Sequence, residues 1–131
     1  MKNGNNCLLD TNIIILLFNG DASIAKKLDG QSAIFIPSIV VGELYFGAYR
    51  STYKTKNLKR IETFLLRCII LQADKTTGDF YGSVKALLME KGKPVPENDI
   101  WISAIALQHH LPIITRDNHF KAVEGLKTIK W

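Results

Sequence analysis

The stretch CLLDTNIIILLF, residues 7–18, places two apolar runs on either side of three polar residues. The first run, residues 7–9, shows no alternation of polar and apolar side chains, which is typical of a strand buried on both faces of a sheet. The polar residues 10–12 predict a turn or a helix cap, and residues 13–18 predict a helix. A buried strand that leads at once into a helix is the repeating unit of parallel α/β proteins.

The same alternation of strand and helix continues along the chain. Short apolar runs predict further strands at residues 33–36, 68–71, 112–114 and 127–129. Helices are predicted at 22–28, 39–49, 53–67, between Asp74 and Gly92, at 100–109 and at 118–123, with Ser38 and Asp74 as caps. We therefore predict a three-layer α/β/α fold with a central parallel sheet of about five strands and right-handed crossovers. No linker or repeat divides the sequence, so residues 1–131 are expected to form one domain.

The composition is that of a globular protein with a basic balance. With 131 residues and 47% hydrophobic side chains, the chain can build a core without a disulfide scaffold. Two cysteines cannot form a zinc site alone, so reduced thiols in a cytoplasmic protein are expected. The apolar run 13–18 is too short to span a bilayer, and no membrane association is expected. The formal charge of +5 favours an acidic partner such as nucleic acid.

Four carboxylates fall where a parallel sheet would place a ligand site. Asp10 follows the first predicted strand, and Asp117 follows the fourth. Asp99 opens the helix before the fourth strand, and Glu43 lies in an apolar helix after the second. Ligands bind beyond the carboxyl ends of such strands where strand order reverses, so all four converge if the first and fourth strands are neighbours. Capping is the alternative for the aspartates, and a buried salt bridge is the alternative for Glu43.

Carboxylates that converge in this way need a compensating charge, because they cannot all stay ionised within a few ångströms of one another. A hard divalent cation supplies that charge, and ligands made only of oxygen suit Mg²⁺ or Mn²⁺ better than zinc. Such centres activate water and hold a phosphodiester, so the chemistry indicated is phosphodiester hydrolysis. The basic balance of the chain fits a polyanionic substrate.

Four segments carry a resemblance to a known family: LLDTN at 8–12, IVVGEL at 39–44, NDIWISA at 98–104 and TRDNHF at 115–120. In this order and spacing they resemble the motifs of PIN-domain ribonucleases, and most of all those of VapC-type toxins from toxin–antitoxin pairs. The resemblance spans nearly the whole chain. It implies one PIN-like nuclease domain over residues 1–131, an Mg²⁺- or Mn²⁺-dependent endoribonuclease that acts on RNA, a homodimer, and neutralisation by a small cognate antitoxin protein of the VapB type.

The resemblance also assigns roles to individual residues. The residues expected to bind the metal and carry catalysis are Asp10, Glu43, Asp99 and Asp117. Among them Asp117 corresponds to the more variable fourth acidic position of the family. Asn12 and Thr115 match polar positions that support the acidic cluster, where an amide or hydroxyl can hydrogen-bond a carboxylate and fix its orientation.

Histidines and aromatic residues have less specific interpretations. His109 and His110 are adjacent on a helix and point about 100° apart, so we expect a solvated helix end and not a metal pair. His119 is expected on the surface or in packing, with contact to RNA as the alternative. The aromatic cluster between Tyr45 and Tyr53 is expected to serve the core and an interface, beside a groove that would receive the antitoxin. The basic stretch 54–67 is expected to be a solvated helix face, with an RNA track as the alternative.

Two other functions remain open at this point. A receiver domain switched by phosphorylation has the same predicted sheet and could use Asp10, Asp74, Thr115 and either Lys127 or Lys130. A receiver needs adjacent acids after the first strand, however, and it leaves Glu43 and Asp99 unexplained. The other alternative is a PIN-like module that binds RNA without cutting it, although the acidic set of this chain is complete.

Overall fold

The computed structural model describes residues 6–131, which contain five strands, six α-helices and one 3₁₀ helix. The strands β1 to β5 are Asn6–Leu9, Ala33–Pro37, Cys68–Leu71, Ile113–Ile114 and Thr128–Ile129. The helices α1 to α6 are Thr11–Phe18, Ala22–Asp29, Ser38–Tyr49, Lys54–Leu65, Lys75–Glu90 and Glu97–Gln108, and the 3₁₀ helix is Asn118–Ala122. Within residues 6–131, no helix combines the length and hydrophobicity that a membrane crossing needs.

The five strands form one parallel sheet in the order β3-β2-β1-β4-β5, which confirms the predicted architecture. The central strand β1 is buried on both faces, since Cys7, Leu8 and Leu9 are at most 1% exposed. In register, Leu8 lies between Phe35 of β2 and Ile113 of β4. The order of the strands reverses between β1 and β4, so the carboxyl ends of these two neighbours open a crevice.

Helices cover the sheet and complete the hydrophobic core. The chain steps outward from β1 to β3 and then returns to β4 on the other side, so right-handed crossovers place α1–α4 on one face and α5–α6 on the other. The main core joins β1, β2 and β4 to side chains such as Ile13, Ile14 and Ile105, all fully buried. A smaller cluster around Val84 and Val123 packs α5 and α6 against the 3₁₀ helix.

Most predicted element boundaries are close to the observed ones, and the two predicted caps differ in outcome. Asp74 caps α5 as predicted, in a capping box in which its carboxylate accepts from the Thr77 backbone N–H and the Thr77 hydroxyl accepts from the Asp74 backbone N–H. The prediction for Ser38 is wrong: Pro37 occupies the N-cap of α3, and Ser38 is the first helical residue. The reason is that β2 runs directly into α3, because Pro37 (φ −65°, ψ 146°) is both the last residue of the strand and the N-cap of the helix.

The aromatic cluster of α3 contributes less to the core than expected. The helix buries Val40, Leu44 and Ala48, which recur every four residues and so occupy one face. Phe46 and Tyr49 therefore lie on the outer face and are 63% and 58% exposed, and Tyr53 beyond the helix is 70% exposed. Only Tyr45 packs partly against the core. The expectation of a core role is thus wrong for the exposed aromatic patch, residues 46, 49 and 53.

Candidate active site

Asp10 lies at the centre of the crevice, directly after β1. Its side chain is almost fully buried, at 5% exposure. One carboxylate oxygen, Oδ1, accepts a hydrogen bond from the Thr11 backbone N–H at 2.7 Å, which makes Asp10 the N-cap of α1. The other oxygen, Oδ2, accepts a hydrogen bond from the Thr115 hydroxyl at 2.9 Å. Asp10 therefore caps a helix, as the capping alternative expected, and also lies in the crevice where a site residue was expected. Each of its two carboxylate oxygens accepts a hydrogen bond.

The end of β4 carries the second wall of the crevice. Thr115 is buried, and its hydroxyl joins both walls, because it donates to Asp10 and accepts from the Asp117 backbone N–H at 2.9 Å. Asp117 in turn caps the 3₁₀ helix by accepting from the His119 backbone N–H at 2.9 Å. A single hydroxyl thus fixes the position of one carboxylate and of the loop that carries another.

The first turn of α6 brings Asp99 against this loop. Its Oδ2 lies 3.2 Å from Nδ1 of His119, and the same ring nitrogen lies 3.0 Å from Oδ1 of Asp117. One ligand atom from each of Asp99, Asp117 and His119 can be chosen so that all lie within 4.8 Å of one another. The side chain of Asp99 is 16% exposed, whereas that of His119 is 50% exposed and forms the outer edge of the group. We call these three residues the α6–β4 cluster.

Glu43 reaches the crevice from α3, beside the α6–β4 cluster. Its Oε1 accepts a hydrogen bond from the Thr11 hydroxyl at 2.5 Å, and its Oε2 accepts one from the Asn98 side-chain amide at 3.2 Å. Glu43 is half-buried, and among residues 6–131 it takes part in no ion pair, so the salt-bridge alternative is wrong. Neutral groups from α1 and α6 therefore hold both oxygens of Glu43.

The carboxylates of the crevice affect one another electrostatically. Burial, with a smaller contribution from the charges of Asp99 and Asp117, raises the pKa of Asp10 to about 6, although hydrogen bonds from Thr115 and Thr11 oppose the shift. Burial also raises the pKa of Asp99, where the charges of Asp117 and Glu43 act in the same direction and His119 opposes them. Negative charges therefore accumulate in a poorly solvated place, which is the setting that a cation stabilises.

Comparison with known proteins now identifies the family. Residues 7–126 match the PIN domain. This chain belongs to the PIN-domain family. It is 35% identical over 127 residues to Ribonuclease VapC2 of Haemophilus influenzae, with 95% of this chain and 96% of the relative covered. It is 34% identical over 127 residues to the tRNA(fMet)-specific endonuclease VapC of Shigella flexneri, with the same coverage.

A solved structure agrees with this family membership. The structure of VapBC2 from Rickettsia felis bound to a DNA fragment from their promoter superposes on this PIN domain with a TM-score of 0.91 at 27% identity. The match covers 96% of this chain and 98% of the other. A receiver domain, one of the two alternatives, is therefore wrong. The structure gives a local reason against a receiver, since the Asp74 carboxylate accepts hydrogen bonds from Thr77 and Gln108 and caps α5.

The site of this PIN domain includes residues that sequence reasoning missed. Thr11 and Asn98 hold Glu43 from 32 and 55 positions away, and only their place beside Asp10 and Asp99 hinted at a role. His119, expected on the surface or near RNA, contacts two of the acidic residues. A histidine two residues after Asp117 was the available hint.

Other predicted residues lie at the rim or far from the site. Asn12 is exposed and lines an open cleft of about 470 Å³ together with Arg116, Asp117, Asn118 and His119. The described residues offer its side chain no hydrogen bond, so a role in supporting a carboxylate stays a prediction. His109 and His110 are exposed at the far end of α6, about 15 Å along the helix from Asp99 at 1.5 Å per residue.

Proposed function

We propose that this PIN domain is an endoribonuclease toxin that hydrolyses RNA phosphodiester bonds with a bound divalent cation, Mg²⁺ or Mn²⁺. The family and the two ribonuclease relatives support the reaction class. The observation that carries the proposal is the approach of Asp99 and Asp117 to ligand spacing, together with the raised pKa of Asp10 and of Asp99, to which burial and the charges of neighbouring carboxylates contribute. One site of this kind explains all four acidic residues better than three separate caps and a salt bridge.

The donor set fits the proposed cation. Carboxylate oxygens are hard ligands, which Mg²⁺ and Mn²⁺ prefer. Burial raises the pKa of Asp10 because it disfavours the ionised carboxylate, and a bound cation would compensate that charge. The residues proposed to bind it are Asp10, Glu43, Asp99 and Asp117. When bound, the cation would lower the pKa of a water molecule and neutralise charge on the phosphate.

The residues of the chain position the reacting groups. Thr115 and the Thr11 backbone N–H fix the orientation of the Asp10 carboxylate, while the Thr11 hydroxyl and Asn98 fix that of Glu43. Preorganised oxygens of this kind need no rearrangement when substrate binds. The oxygen of a water molecule would attack phosphorus as the bond from phosphorus to O3′ breaks, and the proton that the water gives up would end on O3′, which leaves as a hydroxyl. The products carry a 5′-phosphate and a 3′-hydroxyl.

The cleavage assay tests this reaction directly. Purified protein is expected to cut total cellular RNA when Mg²⁺ or Mn²⁺ is present and to stop when EDTA is added, because the charge of the four carboxylates would then be uncompensated. End labelling of the fragments is expected to find 5′-phosphates. Undiminished cutting in EDTA, or fragments that end in a 2′,3′-cyclic phosphate, would exclude the mechanism. Binding of RNA without any cutting would favour the silent RNA-binding alternative.

A cognate antitoxin of the VapB type is the proposed protein partner. An apolar groove of about 240 Å³ runs between α1, α3 and α4, and its wall includes Glu43 at the active site and Arg60. The groove would hold an apolar segment of the antitoxin, whose basic side chain would then meet the carboxylates of the site. The related R. felis toxin was solved as VapBC2, together with its promoter DNA.

A homodimer is the proposed assembly of the toxin. The exposed aromatic patch of Phe46, Tyr49 and Tyr53 presents apolar surface that a solitary domain seldom leaves in water. Static light scattering at micromolar concentration is expected to give twice the mass of 14.7 kDa. A mass equal to one chain at that concentration would contradict the homodimer and leave the nuclease proposal untouched.

A further inference from the structure

His119 is placed as a ligand would be, although the acidic set alone would suffice for a cation. Its Nδ1 lies 3.2 Å from Oδ2 of Asp99 and 3.0 Å from Oδ1 of Asp117. Adjacent ligands of an octahedral cation with bonds of about 2.1 Å are separated by √2 times that length, or about 3.0 Å. The nitrogen therefore has the spacing of a neighbouring ligand to each of the two oxygens, and the three residues offer ligand atoms within 4.8 Å of one another.

Local structure fixes this spacing. Asp117 and His119 belong to one turn, in which the His119 backbone N–H donates to Oδ1 of Asp117 at 2.9 Å. Asp99 approaches from the first turn of α6, a separate element, and is the least exposed of the three. Because half of the His119 side chain is exposed, its ring can adjust by small rotations without disturbing the core.

An imidazole nitrogen changes what a set of oxygens prefers to bind. Mg²⁺ is a hard cation that favours oxygen ligands. An imidazole nitrogen raises the affinity of a site for transition-metal cations, a group that includes Mn²⁺ but not Mg²⁺. We infer that His119 is a direct metal ligand of the α6–β4 cluster and gives this site a preference for Mn²⁺ over Mg²⁺. The inference rests on the proposed metal-dependent nuclease and adds a nitrogen ligand to it.

Calorimetric titration of the full chain with each cation tests the preference. Loss of even a group that only supports a ligand costs about 10- to 100-fold in metal affinity, so His119→Ala is expected to weaken Mn²⁺ binding at least about tenfold. Mg²⁺ binding is expected to change far less, because the oxygens remain. The matched control is His109→Ala, an exposed histidine at the other end of α6. Equal losses for both cations, or no loss for either, would overturn the inference.

Electron spin-echo spectroscopy of bound Mn²⁺ tests ligation itself. The chain contains three histidines, so single variants can assign a nitrogen coupling. A coupling to an imidazole nitrogen is expected in the wild-type protein and in His109→Ala, and it is expected to vanish in His119→Ala. Absence of the coupling from the wild-type protein would overturn the inference even if affinity changes.

A conservative variant separates ligation from hydrogen bonding. His119→Asn keeps a side-chain donor near Asp99 but lacks the ring nitrogen. If the wild-type preference for Mn²⁺ returns in this variant, His119 only hydrogen-bonds Asp99 and the inference is wrong. If Mn²⁺ supports cutting and binds equally well without His119, the inference fails while the nuclease proposal stands. If neither cation binds the wild-type protein and RNA is cut in EDTA, both fail.

Discussion

Asp10 is both a helix cap and a buried carboxylate, and these two roles favour opposite protonation states. As the N-cap of α1 it is best ionised, whereas its burial favours the neutral acid and raises its pKa from 3.8 to about 6. An acid with a raised folded-state pKa lowers the stability of the metal-free fold as pH rises from about 4 to about 6. The difference between the two pKa values corresponds to a decrease in the free energy of unfolding on the order of 3 kcal/mol above pH 6. A bound cation would reverse this loss.

Asp10→Asn tests that balance at the scale of one residue. The amide oxygen still accepts from the Thr11 N–H, while the buried charge is gone, so in EDTA at pH 7.5 the variant is expected to melt no lower than the wild-type protein. Its melting temperature is also expected to depend less on pH between 4 and 7. Added Mn²⁺ is expected to raise the melting temperature of the wild-type protein, through binding to the folded state, but that of the variant only slightly. RNA cleavage is expected to fall to background.

The matched control for this variant is Asp74→Asn, at the exposed cap of α5. Hydrogen bonds from Thr77 and Gln108 lower the pKa of Asp74, so its ionised form stabilises the fold at neutral pH and that contribution disappears as pH falls. The control is therefore expected to melt lower in EDTA and to keep the full shift with Mn²⁺. If Asp10→Asn behaves like this control and still cleaves RNA, Asp10 is only a cap.

At the scale of elements, apolar runs in the sequence predicted where the strands lie but not how the strands are ordered in the sheet. Strand β3 falls on the predicted residues 68–71, because its isoleucines favour a strand, although Ile69 and Ile70 remain 49% and 39% exposed at the edge of the sheet. Neighbouring strands in the sheet pair residues more than 100 positions apart, such as Leu9 and Ile114. The periodicity of apolar residues carries no information on which strands pair. The positions of Asp10 and Asp117 followed from strand ends, whereas the Asn98–Glu43 contact and the place of His119 depend on how α3, α6 and the 3₁₀ helix pack.

The packing of α5 on α6 depends on a buried hydroxyl, which gives a prediction for an element contact away from the site. Thr77 is fully buried and contacts Asp74 at the start of α5 and Gln108 at the end of α6. Thr77→Val keeps the shape but leaves the Gln108 side chain without this partner, so it is expected to cost about 1–3 kcal/mol. Urea unfolding measures the cost. Mn²⁺ affinity is expected to be unchanged, and a loss of metal binding would show that α6 transmits this contact to Asp99.

At the scale of the whole molecule, the basic balance and the acidic crevice serve different partners. The net charge of +5 attracts RNA over long distance, whereas the local negative charge favours a cation and, in the neutralised state, a basic side chain of the antitoxin. Glu43 belongs to the wall of the groove between α1, α3 and α4, whereas Asn12 and Arg116 line a separate cleft that also contains Asp117 and His119. Inhibition and RNA binding can therefore be separated by substitution.

Gly47→Trp is the substitution that separates them. Gly47 lines the groove from the exposed side of α3, and a Cβ atom built there has nothing within 4 Å, so the indole would fill the groove without straining the fold. The variant is expected to cut RNA at the wild-type rate and to resist a cognate antitoxin of the VapB type, because the indole would occupy the groove proposed for the apolar segment. A cleavage assay with increasing antitoxin measures this. The matched control is Gly82→Trp on α5, which is equally open and away from the groove, and it is expected to remain inhibited. Full inhibition of Gly47→Trp would show that the antitoxin binds elsewhere on the domain.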